Sequence, residues 1–332
     1  MTRLGVAVVG CGFQGAIHAR NVANSKRAEL VACVDLDMTR ATQLASTTGA
    51  ARAGDRVEDL WNDPEIDVVI IATTTHTHRQ LALEAARCGK HMLLEKPMAM
   101  TVDECLEIEE ACEQAGIVAA LGYKFRFTDA VIAAHNAVPN PRVLLAQTLY
   151  DPALVAVDSW VNDRSLSGGR MVSSLVHSVD LLRFLSGDEV VRVFAEGAKV
   201  DGRSSSELDT ATATLLFANG AIGSIVHGTA GASGLLSTWS FQASDSGVNA
   251  TIHDHGRRLT LHRAGETDIT VVDPTREPFE AGTAPLFEAL AAAVDGEDVD
   301  VPGPRDGTLS LLISRCVEEA IATGQPVTVP AL

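Results

Sequence analysis

Six residues, Gly10-Cys11-Gly12-Phe13-Gln14-Gly15, follow the apolar run at 4–9 directly and open a segment with helical spacing at 12–23. In a strand, turn and helix joined this way, the first glycine makes the tight turn and the second lets another molecule approach the backbone. The third relieves crowding where helix meets strand. The helix start then aims free amides at an anion. All six residues are therefore candidate contacts to a dinucleotide pyrophosphate, and the amino-terminal part is constrained to a parallel sheet with helices on its faces.

The rest of that part keeps the same rhythm. Apolar runs at 29–35, 68–72, 91–95 and 118–121 read as further strands, with amphipathic stretches between them. Asp37 is placed to cap the helix containing Arg40 and Leu44. Thr101 and Glu104 have capping-box spacing before a helix running toward Gly116.

Beyond Gly122 the pattern changes to β-rich segments at 143–149, 190–200, 210–217, 221–226, 235–243, 248–253, 258–262 and 267–272. Asn219-Gly220 reads as the turn of a hairpin. Helices are expected at 128–137, 171–185, 279–294 and 307–323. The fold class is thus α/β: a Rossmann domain over 1–122, then an α+β domain over 123–332 with a large open, mainly antiparallel sheet and the carboxyl-terminal helices.

Composition narrows the function classes. With 43 acidic residues against 26 Lys plus Arg, the formal charge is −17, which opposes binding to nucleic acid or an anionic membrane surface. No run of eighteen or more apolar residues suggests a spanning helix, and a cytoplasmic protein is expected. The six cysteines are dispersed without a CxxC pair, which fits reduced, packed thiols. His76 and His78 lack a convincing third ligand, so no metal is expected.

Asp35 ends the second strand, twenty residues beyond Gly15. A carboxylate there can accept from ribose hydroxyls and would repel a 2′-phosphate, so NAD is preferred over NADP. Arg40 lies nearby as a stacking or pairing group. Thr73, Thr74, Thr75 and His78 follow the strand at 68–72, where hydroxyls and amides either line the dinucleotide or begin the next helix.

Glu95-Lys96-Pro97 ends the strand at 91–95. An ammonium there can stand beside a carbonyl or alkoxide oxygen at the nicotinamide end. Glu95 is free to orient Lys96, contact a cofactor hydroxyl or satisfy the strand end.

Taken with His18, Thr75-His76-Thr77-His78, Tyr123-Lys124-Phe125-Arg126-Phe127, and Gly168-Gly169 leading to His177-Ser178-Val179-Asp180, the chain resembles the glucose-fructose oxidoreductase and inositol dehydrogenase (Gfo/Idh/MocA) family. The resemblance spans both expected domains. It implies a nicotinamide-dependent dehydrogenase or reductase acting on a hydroxyl or ketone of a sugar, sugar derivative or cyclitol. It also implies a second sheet used for a homodimer or homotetramer.

By that resemblance Lys96 is the catalytic lysine, and it permits a cis bond before Pro97. His177 is the proton carrier, since imidazole titrates near neutral pH. Where the family commonly carries an aspartate, four residues before His177, this chain has Ser173. Its hydroxyl either orders a water or substrate group, or bonds within its own helix. Asp180, three residues after His177, either supports the imidazole or fixes the second domain. Tyr123, Arg126, Trp160 and Asn162 are further substrate or support candidates. The altered histidine segment leaves three alternatives: a deoxysugar ketoreductase, a trans-dihydrodiol dehydrogenase, or a dinucleotide-responsive regulatory protein.

Overall fold

A computed structural model of the chain describes residues 3–201, 208–231, 239–263, 265–271 and 280–332. Its residues group into two compact units, 1–122 with 283–308, and 123–282 with 309–332.

The first unit alternates strand and helix: β1 (Leu4–Val9), α1 (Phe13–Asn24), β2 (Ala28–Val34), α2 (Met38–Thr48), β3 (Arg52–Gly54), α3 (Glu58–Trp61), β4 (Val68–Ile71), α4 (Thr75–Arg87), β5 (His91–Leu94), α5 (Val102–Ala115) and β6 (Ala119–Leu121). The six strands lie in the order β3-β2-β1-β4-β5-β6, and every pairing is parallel. Val6, Ala7, Val8, Val69, Ile70 and Leu93 are completely buried, as continuous apolar strands covered on both faces should be. The chain order places the turns after β1, β2, β4 and β5 at the same, carboxyl edge of the sheet.

Helix starts follow the sequence signals. Asp37 Oδ1 accepts from the Thr39 amide at 2.9 Å. Thr101 Oγ1 accepts from the Glu104 amide at 3.2 Å, while Glu104 Oε2 accepts from the Thr101 amide at 3.3 Å, completing a capping box. Thr101→Ala removes the acceptor and leaves a first-turn amide to solvent. We expect a loss of about 1 kcal/mol in the urea unfolding of the first unit, with turnover unchanged.

The second unit contains α6 (Asp129–Ala137), β7 (Val143–Leu149), α7 (Arg164–Ser167), α8 (Arg170–Ser186), β8 (Val190–Ala198), β9 (Thr210–Phe217), β10 (Ile222–Gly228), β11 (Trp239–Asp245), β12 (Val248–His253), β13 (Arg258–Arg263) and β14 (Glu266–Val271). After α9 (Thr283–Val294) and α10 (Pro304–Thr323), β15 (Val327–Thr328) pairs with β8. Among the described residues the strands run β14-β13-β12-β11-β7-β10-β9-β8-β15, antiparallel except for β7 with β10. The β9–β10 hairpin turns at Gly220, whose φ of 81° suits glycine. Alternate β7 residues Leu144, Ala146 and Thr148 are buried, whereas Val143, Leu145 and Gln147 are exposed.

The fold adds two elements to those expected and moves a third. β3 and α3 are too short and too poor in apolar alternation to signal themselves. Helix α9, placed by sequence in the second domain, packs with the first unit because its apolar face meets α1 and Arg27 pairs with Asp295 at 3.0 Å and Glu297 at 2.8 Å. Positions 235–238, 272 and 279, expected in strands or a helix, lie outside the described residues.

Candidate active site

In the first unit the glycine turn has the shape its sequence requires. A Cβ on Gly15 would stand 1.7 Å from the Gly10 carbonyl oxygen, so only glycine lets α1 approach the turn this closely. A Cβ on Gly12 would meet nothing within 4 Å, which marks the open side of the turn. That open backbone at the start of α1 fits a pyrophosphate. Cys11 is buried, Gln14 is half-buried and Phe13 is 71% exposed.

Asp35, at the end of β2, is half-buried, and its carboxylate ties the neighbouring turns together. Oδ2 accepts from the Cys11 amide at 2.7 Å and Oδ1 from the Asp37 amide at 2.9 Å. Arg40 is exposed and faces Asp37 at 3.4 Å.

After β4, Thr73 and Thr77 share a hydrogen bond of 2.7 Å, and Thr74 reaches His76 Nδ1 at 3.0 Å. Thr74 holds the cap position of α4 without side-chain capping, and Thr75 is buried. His78, placed by sequence among the cofactor contacts, is 1% exposed, with Nδ1 2.8 Å from the Pro97 carbonyl and Nε2 3.2 Å from that of Thr73. Burial lowers its pKa, while the two carbonyl contacts oppose that fall. His78 thereby holds the segment that carries Lys96.

The Lys96–Pro97 bond is cis. Lys96 is half-buried; desolvation pulls its ammonium below the usual lysine range, and the neighbouring Glu95 carboxylate opposes that fall. The Glu95 carboxylate reaches both α1 and the loop that carries Lys96. Its Oε1 meets His18 Nε2 at 2.9 Å, and its Oε2 accepts from the Lys96 amide at 3.2 Å. A Cβ on Gly122 would come within 2.8 Å of the same carboxylate, so glycine leaves it room. His18 therefore ties α1 to the loop after β5.

In the second unit, His177 projects from α8 and is 7% exposed. Its ring meets Phe125 edge-on at 5.3 Å, Tyr123 at 6.2 Å and Trp239 at 6.4 Å. Tyr123 is buried and forms part of this wall.

Asp180 pairs with Arg126. Arg126 Nε donates to Oδ2 at 3.0 Å and Nη2 to Oδ1 at 2.5 Å, and the guanidinium lies over Phe184 at 5.3 Å. The Ser173 hydroxyl donates to the Arg170 carbonyl at 2.8 Å, a bond within its own helix, which is one of the two roles open to it. Trp160 is 37% exposed, and Asn162 Nδ2 donates to the Ala156 and Val157 carbonyls at 2.9 and 3.1 Å. Those two residues build their own turn. Sequence reasoning did not single out Trp239, whose ring meets His177; an indole at the start of an alternating strand was its only signal.

Among the described residues, no group of three His, Cys, Asp or Glu side chains is placed to hold a metal ion, and no helix is long and apolar enough to cross a membrane.

Two family models match the chain in order. Residues 4–123 match an oxidoreductase family with an NAD-binding Rossmann fold, and residues 142–329 match the C-terminal alpha/beta domain of an oxidoreductase family. A myo-inositol 2-dehydrogenase of Thermotoga maritima is 29% identical over 66% of this chain and 67% of its own. A 1,5-anhydro-D-fructose reductase of Ensifer adhaerens is 29% identical over 90% of each chain. Among solved structures, levoglucosan dehydrogenase with NADH and levoglucosan has a TM-score of 0.87 at 23% identity, covering 99% of this chain and 100% of that one, a likeness of fold. With both domains matched in sequence and a parallel nucleotide sheet carrying the glycine turn and Lys96 at one edge, the chain belongs to the Gfo/Idh/MocA family of oxidoreductases.

Proposed function

We propose that this oxidoreductase interconverts a secondary alcohol and a ketone on a sugar, sugar derivative or cyclitol, with NAD preferred over NADP. The observation that carries the reading is the order of turns along the carboxyl edge of the parallel sheet: Asp35 after β2, the glycine turn after β1 and Lys96 after β5. That order suits adenosine on the β2 side, pyrophosphate at the glycine turn and nicotinamide toward β5. The dinucleotide, when bound, supplies a hydride acceptor or donor.

In alcohol oxidation Lys96 stabilises negative charge on the reacting oxygen, and His177 accepts the hydroxyl proton; in ketone reduction both roles reverse. Cofactor reduction over a panel of myo-inositol, scyllo-inositol, D-glucose and levoglucosan tests the reading. No turnover of any member by the purified protein would sink it.

Asp35 supports the NAD preference, since a 2′-phosphate would meet its carboxylate. Asp35→Ser should raise the KM for NAD about tenfold, the loss of a hydrogen bond to a charged group, and leave the KM for NADP unchanged or lower. Equal effects on both cofactors would mean that Asp35 serves only the glycine turn.

The exposed face of the second sheet supports self-association. Val143, Leu145, Phe194 and Ile222 are each at least 37% exposed and line a concavity of about 510 Å³. Phe194→Glu combined with Leu145→Glu should convert a dimer or tetramer to monomer by light scattering, with the helix content intact. An unchanged mass would place association elsewhere.

A further inference from the structure

We propose that Tyr150 is a second substrate-contacting group, a hydrogen-bond acceptor for a substrate hydroxyl, and that the buried His227 is its positioning residue. The proposal rests on the reading of His177 as proton carrier and names which further group recognises the same substrate.

Tyr150 directly follows β7, and its amide donates to the Gly228 carbonyl at 2.9 Å, extending the pairing with β10. The side chain is half-buried, while His227 and Thr148 are completely buried. His227 Nδ1 lies 2.5 Å from Thr148 Oγ1, and Nε2 lies 2.6 Å from the Tyr150 hydroxyl and 3.0 Å from Ser174 Oγ. Ser178 closes the chain from α8, 3.1 Å from Thr148 Oγ1. The Tyr150 hydroxyl also donates to Ser174 Oγ.

This network adjoins the proposed proton carrier. Ser174 precedes His177 by one helical turn on α8, so the two are neighbours on that helix. Trp239 packs against both groups, 5.6 Å from the Tyr150 ring and 6.4 Å from the His177 ring. A hydroxyl-rich substrate reaching His177 thus has Tyr150 within the same aromatic surround.

Proton counting sets what Tyr150 can recognise. A phenol has one proton, and here Ser174 Oγ takes it inside the protein. The remaining capacity of the oxygen is to accept, so its complement is a hydroxyl donor on the substrate other than the one being oxidised. Burial raises the phenol pKa, so the group stays neutral through the working pH range. His227 and Thr148 fix the direction of the phenol, and a buried network satisfied at each joint gives one geometry.

The test compares wild type, Tyr150→Phe, His227→Gln and His177→Ala on the fastest substrate of the panel and on deoxy analogues lacking one hydroxyl, for example myo-inositol against the quercitols. Tyr150→Phe should raise KM about 10- to 100-fold for the full substrate and leave it unchanged for the analogue lacking the contacted hydroxyl, because a site built for a hydroxyl discriminates through it. His227→Gln should shift KM in the same direction with the pH profile of kcat kept. With two tyrosines in the chain, Tyr123 and Tyr150, substrate added to the NAD-bound protein should perturb the ultraviolet phenol band in wild type but not in Tyr150→Phe.

Unchanged discrimination in Tyr150→Phe and His227→Gln, with only a lower melting temperature, would make the network structural and overturn the inference. If His177→Ala then still loses turnover, the proposed reaction stands. If His177→Ala retains full turnover, the proton-carrier assignment fails and takes this inference with it.

Discussion

Lys96→Met should lower kcat by about 10³-fold, the upper end of what removing one charge-stabilising donor costs. Methionine keeps most of the length and the apolar stem but carries no cation. The backbone around it should hold, because its fixings do not use the ammonium: Glu95 receives the Lys96 amide, and His78 bonds the Pro97 carbonyl. Affinity for NADH, followed by quenching of cofactor fluorescence, should therefore change little. A fall in kcat without a fall in affinity separates charge stabilisation in the transition state from uniform binding.

The pH dependence gives an independent reading. Burial lowers the Lys96 pKa, so as pH rises through that lowered value the ammonium loses its proton and kcat/KM should fall, at a pH below the ordinary lysine range. Arginine does not titrate there, so residual activity of Lys96→Arg should lack this alkaline limb. Equal turnover by wild type and Lys96→Met would remove the lysine from the reaction.

Local signals carried the first unit. The glycine turn, the apolar strands and the caps at Asp37 and Thr101 are written in residues a few positions apart, and the structure forms them near the expected bounds. What was not legible depends on long-range partners. An amphipathic pattern shows that α9 buries a face, but not that α1 covers it. Spacing made Asp180 a neighbour of His177 on the helix, yet Arg126, 54 residues away in sequence, takes the carboxylate. Nothing in the sequence near Tyr150 announces His227, because strand pairing across 77 positions brings them together. Lone polar residues, unlike glycine turns, acquire a role only from what the fold sets beside them.

Asp180→Ala should destabilise the second unit by about 3–5 kcal/mol, the cost of leaving one member of a buried ion pair without its partner. The Arg126 and Asp180 side chains are 10% and 3% exposed, and the pair is bidentate through Nε and Nη2, so water cannot readily replace the carboxylate. The cation would remain over Phe184 without this carboxylate. Arg126→Met combined with Asp180→Leu removes both charges and should recover much of the loss, whereas additivity of the two single effects would show that the pair is not coupled. Because the two units need not unfold together, the measurement follows urea unfolding by Trp239 fluorescence with Trp61 and Trp160 replaced by Phe. The same variant separates the two roles open to Asp180. A carboxylate that serves Arg126 alone leaves the pH profile of the folded enzyme unchanged when removed, and a carboxylate that tunes His177 moves the acidic limb by raising the imidazole pKa in its presence. Loss of stability with an unmoved acidic limb is the expected result, and it assigns Asp180 to the frame that holds α8 and its histidine in place.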